Sequence, residues 1–159
     1  MKRILVLSYL FISFICHSQQ GGIIGKGQID INKIEFFRKN YQWNKEYFFV
    51  VSFRQPKSRC YYDNFRNLGK TESAILKFGE SVEEKSIRNI FVSSDEKRVK
   101  SYLDFKTTYS DVENLVLNTF FEKVESCFGL VVINRKGQYM SLAGEYVTKD
   151  IDNFIRFQV

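Results

Sequence analysis

The chain has 159 residues, 44% hydrophobic and 16% aromatic, with a formal net charge of +6. Its Lys and Arg residues are scattered rather than clustered. They read as a solvated surface with no nucleic-acid role, and an acidic partner or an anionic membrane surface is the residual use of the positive charge. The single histidine, His17, lies close to the N-terminus, which bears on every mechanism that needs imidazole.

The first residues, MKRILVLSYLFISFICHSQQ, order a basic pair (Lys2, Arg3), an apolar run (Ile4 to Ile15) and small residues at Cys16 and Ser18. This is the pattern of a secretory signal peptide over residues 1–18, cleaved before Gln19, and the apolar run is short for a bilayer span. The expected location is periplasmic or extracellular, with no transmembrane segment after cleavage. Lipid attachment at Cys16 is disfavoured because Ile15 is large for the position before a lipidated cysteine. Cleavage removes His17, and with it Ser-His-Asp catalysis, Cys-His catalysis and every zinc site built on histidine. About 140 residues remain, enough for one domain with its own core. Two cysteines also remain, Cys60 and Cys127, and in an oxidising compartment an even pair is read first as a disulfide.

Residues 19–28 are Gly-rich and read as a flexible N-terminal segment, with residues 29–159 as one domain. The glycines at 21, 22, 25 and 27 lack the Gly-Lys-Ser/Thr ending of a phosphate loop. Asp30 is placed to cap a helix carrying Ile31, Ile34 and Phe37. Tyr47 to Phe53 is a β-prone run that reads as a central strand, ended at Pro56. From Cys60 to Phe78 the spacing of Tyr61, Phe65 and Leu68 suggests one broken helix or two short ones. Ile87 to Ser93 is a second strand. Ser93 with Glu96, and Ser110 with Glu113, have capping-box spacing at the starts of two further helices. Val112, Leu115, Val116, Thr119, Phe120 and Val124 form a helical stripe that reads as the centre of the core with Val131 and Ile133.

The run Leu130 to Ile133, a break at Asn134-Arg135-Lys136-Gly137, and Gln138 to Leu142 predict a β-hairpin with a buried first strand and an edge second strand. Thr148 is placed to cap a last helix with Ile151, Phe154 and Ile155. The order predicts an α/β fold with a mixed sheet. The crossover between the first two strands should be right-handed, and the strand from Leu130 should pair antiparallel with that from Tyr47.

IRNIFVSSDEKRVKSYL and FFEKVESCFGLVVINRKGQYMSLAGEY resemble the strand-Asp-helix segment and the hairpin region of the thioredoxin-like superfamily, particularly its exported members. The resemblance spans Tyr47 to Phe157 and implies a three-layer sandwich about a central mixed sheet. The family's C-x-x-C site here reads Lys57-Ser58-Arg59-Cys60, and its cis-proline site reads Ser126-Cys127-Phe128-Gly129. Dithiol exchange is therefore not implied, since it needs a resolving thiol nearby in sequence. In that arrangement the loop holding Cys60 faces the loop holding Cys127, which implies a bridge between them.

The reading that results is an exported thioredoxin-like domain with a binding or structural role, no cofactor, no metal, and an unknown protein or small-molecule partner. Two alternatives stay open. One is a thiol oxidoreductase or peroxidase using Cys60, its pKa lowered by a helix N-terminus with Lys57 and Arg59 nearby. Pro56, Ser58 and Cys60 have the residue types of a peroxiredoxin loop at different spacings. The other is an immunity-type binding protein of another α/β fold, using aromatics such as Trp43, Tyr61 and Tyr62. Asp95-Glu96 and Asp150-x-Asp152 are better explained as charges at helix starts than as metal ligands.

Overall fold

A computed structural model describes residues 22–60, 77 and 86–158. Nine elements follow in order: β1 (Ile23–Gln28), α1 (Ile31–Tyr41), β2 (Phe48–Arg54), β3 (Ile87–Ser93), α2 (Glu96–Val99), β4 (Thr108–Ser110), β5 (Phe128–Asn134), β6 (Gln138–Ala143) and α3 (Thr148–Arg156). Short 3₁₀ turns occupy Lys57–Arg59 and Val112–Asn114, and a π-helical turn occupies Leu117–Phe121.

The strands form one mixed sheet in the order β1-β6-β5-β2-β3-β4. β2 pairs parallel with β3 and antiparallel with β5, with Val51 opposite both Ile90 and Val131. Every residue of β2 is buried, as the run FFVVSF, apolar but for Ser52, suits a strand covered on both faces. The predicted α/β class and the antiparallel pairing of the two central strands are both present. Most of the β2–β3 crossover, with the helices expected between Tyr61 and Phe78, lies outside the described residues, as do residues 1–18, where a leader is expected.

Alternation along the strands divides the core. Phe49, Val51, Phe53, Ile90, Val92, Val131 and Ile133 face α1 and the π turn. Phe48, Val50, Leu130, Val132 and Leu142 face α3 through Ile151, Phe154 and Ile155. Asp30 caps α1, its Oδ1 accepting from Lys33 N–H at 3.0 Å. The helix buries Ile34, Phe37 and Tyr41, whereas Ile31, expected on the inner face, is 59% exposed.

Several expectations change. Residues 23–28, read as part of a flexible segment, form the edge strand β1, so β6 is an interior strand with β1 on its outer side. Neither predicted capping box forms. The Ser93 hydroxyl instead accepts from Asp95 N–H at 3.2 Å, Glu113 adopts a left-handed backbone (φ 56°), and the helix after Ser93 is cut to the four residues of α2. Thr108 to Ser110 adds the short strand β4 beside β3. In the stripe from Val112 to Val124, the buried residues are Val116, Leu117 and Phe121, with Leu115 and Phe120 only half-buried. A π turn is wider than an α turn, and its extra residue shifts the inward face.

The hairpin turn follows from its residues. Asn134 Oδ1 accepts from the N–H groups of Lys136 (3.0 Å) and Gln138 (3.1 Å). Gly137 takes φ 84°, a conformation side chains disfavour.

Candidate functional site at the Cys60–Cys127 bridge

β2 leaves the sheet at Arg54, and the next residues pass over the start of β5. Pro56 has no N–H to donate and takes an extended backbone before the 3₁₀ turn Lys57–Arg59, after which Cys60 is buried. Cys127 stands one residue before β5. Gln55 N–H donates to Cys127 O at 3.1 Å, extending the β2–β5 ladder beyond both strands. Cys60 and Cys127 are joined by a disulfide, with Cα atoms 4.5 Å apart, inside the range a bridge allows.

A second tie reinforces the first. Arg59 Nη1 donates to Phe121 O and Glu122 O, each at 2.9 Å. These carbonyls end the π turn, where a cation is favoured by the partial negative charge of the exposed C=O groups. The loop after β2 is thereby fixed to the segment before β5 at Arg59, Gln55 and Cys60.

Where β2 passes into the loop stand two buried polar residues that sequence reasoning missed. Arg54 is 2% exposed, and its guanidinium sits 4.7 Å from the centroid of the Phe128 ring. Burial lowers its pKa to about 10. Gln55 is fully buried, and both polar atoms of its amide lack a hydrogen-bond partner among the described residues. A signal for Arg54 was present: it continues the Phe48, Val50, Ser52 alternation and so falls on an inward face.

The remaining candidates go elsewhere. Lys57 is exposed on the 3₁₀ turn. Trp43, considered as an exposed anchor, is 1% exposed; it stacks on Phe49 with centroids 5.1 Å apart, and its Nε1 donates to Glu46 O. Tyr61 and Tyr62 lie outside the described residues. Asp95 pairs with Arg98 at 3.1 Å, and Asp150 accepts from Val147 N–H at 2.8 Å at the start of α3. Among the described residues no group of three or more acidic, Cys or His side chains is placed to hold a metal, and no helix is long and apolar enough to cross a membrane.

Chemically, the bridge converts both sulfurs into a cross-link. A sulfur in a disulfide is neither a thiolate nucleophile nor a metal ligand. Cys60 follows the 3₁₀ turn Lys57–Arg59, and the helix expected to start beside it lies outside the described residues. Searches against known protein families, characterised proteins and solved structures find no match to this chain.

Proposed function

We propose that this chain is an exported domain of thioredoxin-like, three-layer architecture without dithiol redox chemistry, with a binding or structural role. The observation that carries this reading is the Cys60–Cys127 bridge, which consumes the only two cysteines left once residues 1–18 are removed. The strand order β3-β2-β5-β6 supports the architecture, with its parallel first pair, antiparallel hairpin and closing helix α3. The bridge lies where that superfamily's redox pair and cis-proline would meet. Export is supported by the leader pattern and by the disulfide itself, since such bonds persist in oxidising compartments.

The test is a non-reducing peptide map of the exported protein with thiol counting under denaturing conditions. A Cys60–Cys127 peptide and no free thiol are expected, with no turnover of hydrogen peroxide or of a disulfide substrate. Two free thiols, one unusually reactive at neutral pH, would overturn the reading in favour of a Cys60 enzyme. Intact mass checks export: a mass lacking residues 1–18 is expected, and an added lipid would place the anchor at Cys16.

A further inference from the structure

Among the described residues, β1 is the outermost strand of the sheet, with no strand beyond it. Its register with β6 sets Gly25 opposite Ser141 and Gly27 opposite Tyr139, and Ile29 N–H continues the ladder by donating to Gly137 O at 2.9 Å. Antiparallel strands alternate inward and outward bonding, so the residues bonding to β6 are 23, 25, 27 and 29. The N–H and C=O groups of Ile24, Lys26 and Gln28 therefore point away from the sheet, with no backbone partner among the described residues. These three residues are exposed, Ile24 by 60%.

Beside this edge, on the face that α3 covers elsewhere, lies an open groove of about 880 Å³. Lys26, Gln28, Gln138, Met140 and Phe157 contribute to its lining; Phe157 is 79% exposed, and no carboxylate is among the described lining residues. The groove offers one cation, several amides and an apolar floor directly beside unpaired backbone.

Charge decides what can pair there. The antiparallel self-register that uses all three outward residues sets Ile24 opposite Gln28 and Lys26 opposite Lys26 of the second copy. Like charges directly opposite are destabilising, and an edge lysine is a recognised defence against self-association. The same lysine favours a strand carrying an acid at that position.

We propose that β1 is the docking edge for an extended acidic peptide segment of a partner protein, which adds antiparallel to the sheet. A carboxylate side chain lies opposite Lys26, and an apolar side chain opposite Gln28 enters the groove beside Phe157. This is strand addition, in which backbone bonds supply affinity and alternate side chains supply specificity. The assignment rests on the binding reading above. Free thiols would refute that reading, whereas the peptide measurements below address the edge alone.

The experiment uses the fluorescein-labelled peptide TFTETVT, whose Phe, Glu and Val fall opposite Gln28, Lys26 and Ile24, with TFTKTVT as its charge-reversed control. Fluorescence anisotropy at low salt is read for the wild-type protein and for Lys26→Glu, an exposed change the fold tolerates. The wild type should bind the Glu peptide roughly tenfold tighter than the Lys peptide, and Lys26→Glu should invert that order. N-methylation of the Glu amide should abolish binding, while N-methylation of a neighbouring Thr amide, which faces away from β1, should leave it in place. Equal binding of the two peptides, no binding at about 1 mM, or indifference to the methylated position would overturn the proposal. A concentration-dependent homodimer that the peptide disperses would assign the edge to a second copy and overturn the choice of partner.

Discussion

Phe121 is the residue on which the π turn meets the sheet. It is 1% exposed and stacks on Phe53 with centroids 5.1 Å apart and planes 3° from parallel. Gly129, in β5, lies directly beneath the ring, and a Cβ there would overlap it. Phe121→Ala should cost about 3–5 kcal/mol by chemical denaturation, as buried aromatic truncations do. Leu115 belongs to the predicted stripe but is half-buried, so Leu115→Ala should cost less than about 2 kcal/mol. Equal losses would place the two side chains at the same depth. Gly129→Ala should destabilise through overlap rather than through backbone conformation. Asp104 supplies a residue-scale dependence on pH. Burial raises its pKa, but the N–H groups of Thr108, Lys106 and Thr107 and the Thr107 hydroxyl outweigh that and hold it at about 2. A depressed carboxylate contributes stability above its unfolded pKa and loses it as the pH falls through the folded one. Stability measured from pH 4 down to pH 2 should therefore fall more steeply in the wild type than in Asp104→Ala. Parallel curves would remove Asp104 from the acid response.

Asp111 starts the helical segment that carries Phe121. Its carboxylate accepts from Val116 N–H at 2.9 Å, Leu117 N–H at 3.0 Å and the Ser94 hydroxyl at 3.2 Å. Burial raises its pKa against the opposing pull of these donors. Tyr41 completes the junction: its hydroxyl accepts from Val112 N–H at 3.1 Å, and burial together with the Asp111 charge raises its own pKa. Asp111→Ala leaves two buried N–H groups unpaired and should cost about 1–3 kcal/mol, with Asp111→Asn recovering part of the loss. An unchanged denaturation midpoint would show that the segment needs no such cap. Sequence reasoning placed a helix start here but assigned it to Ser110 and Glu113, since a capping box is recognised by spacing. The left-handed backbone at Glu113 and Asn114 breaks that spacing, and the acceptor that remains in reach is Asp111. β1 was missed for a related reason. Ile-Ile-Gly-Lys-Gly-Gln carries no alternating pattern, and its glycines are explained by Ser141 and Tyr139 of β6, whose side chains occupy the space a Cβ would need.

Across the whole molecule, the Cys60–Cys127 bond closes a loop of 67 residues. In the chain-entropy treatment a loop of that length stabilises by about 4 kcal/mol, acting on the unfolded chain. The reduced protein, or the Cys60→Ala/Cys127→Ala double variant, should therefore show a lower denaturant midpoint by roughly that free energy, while the β2–β5 ladder and Arg59 still hold the loop. A midpoint unmoved by reductant would mean that the bridge adds nothing to the fold, and its purpose would then have to lie in chemistry.

The runs Tyr47 to Phe53, Ile87 to Ser93 and Leu130 to Ile133 each fell on a central strand, because apolar and β-prone residues cluster where a strand is covered on both faces. Asp30, Asn134 and Gly137 marked their cap and turn because those bonds are local, closed within a few residues. The pairing of Cys60 with Cys127 was implied by the resemblance, which sets their two loops face to face. Their approach to 4.5 Å depends on β2 and β5 lying side by side, a contact between residues far apart in the chain. The edge at β1, the burial of Arg54 and Trp43, and the one-residue shift toward Phe121 were decided in the same way. Each depends on which partner strand, ring or carboxylate the folded chain brings alongside, and that information resides in no single segment.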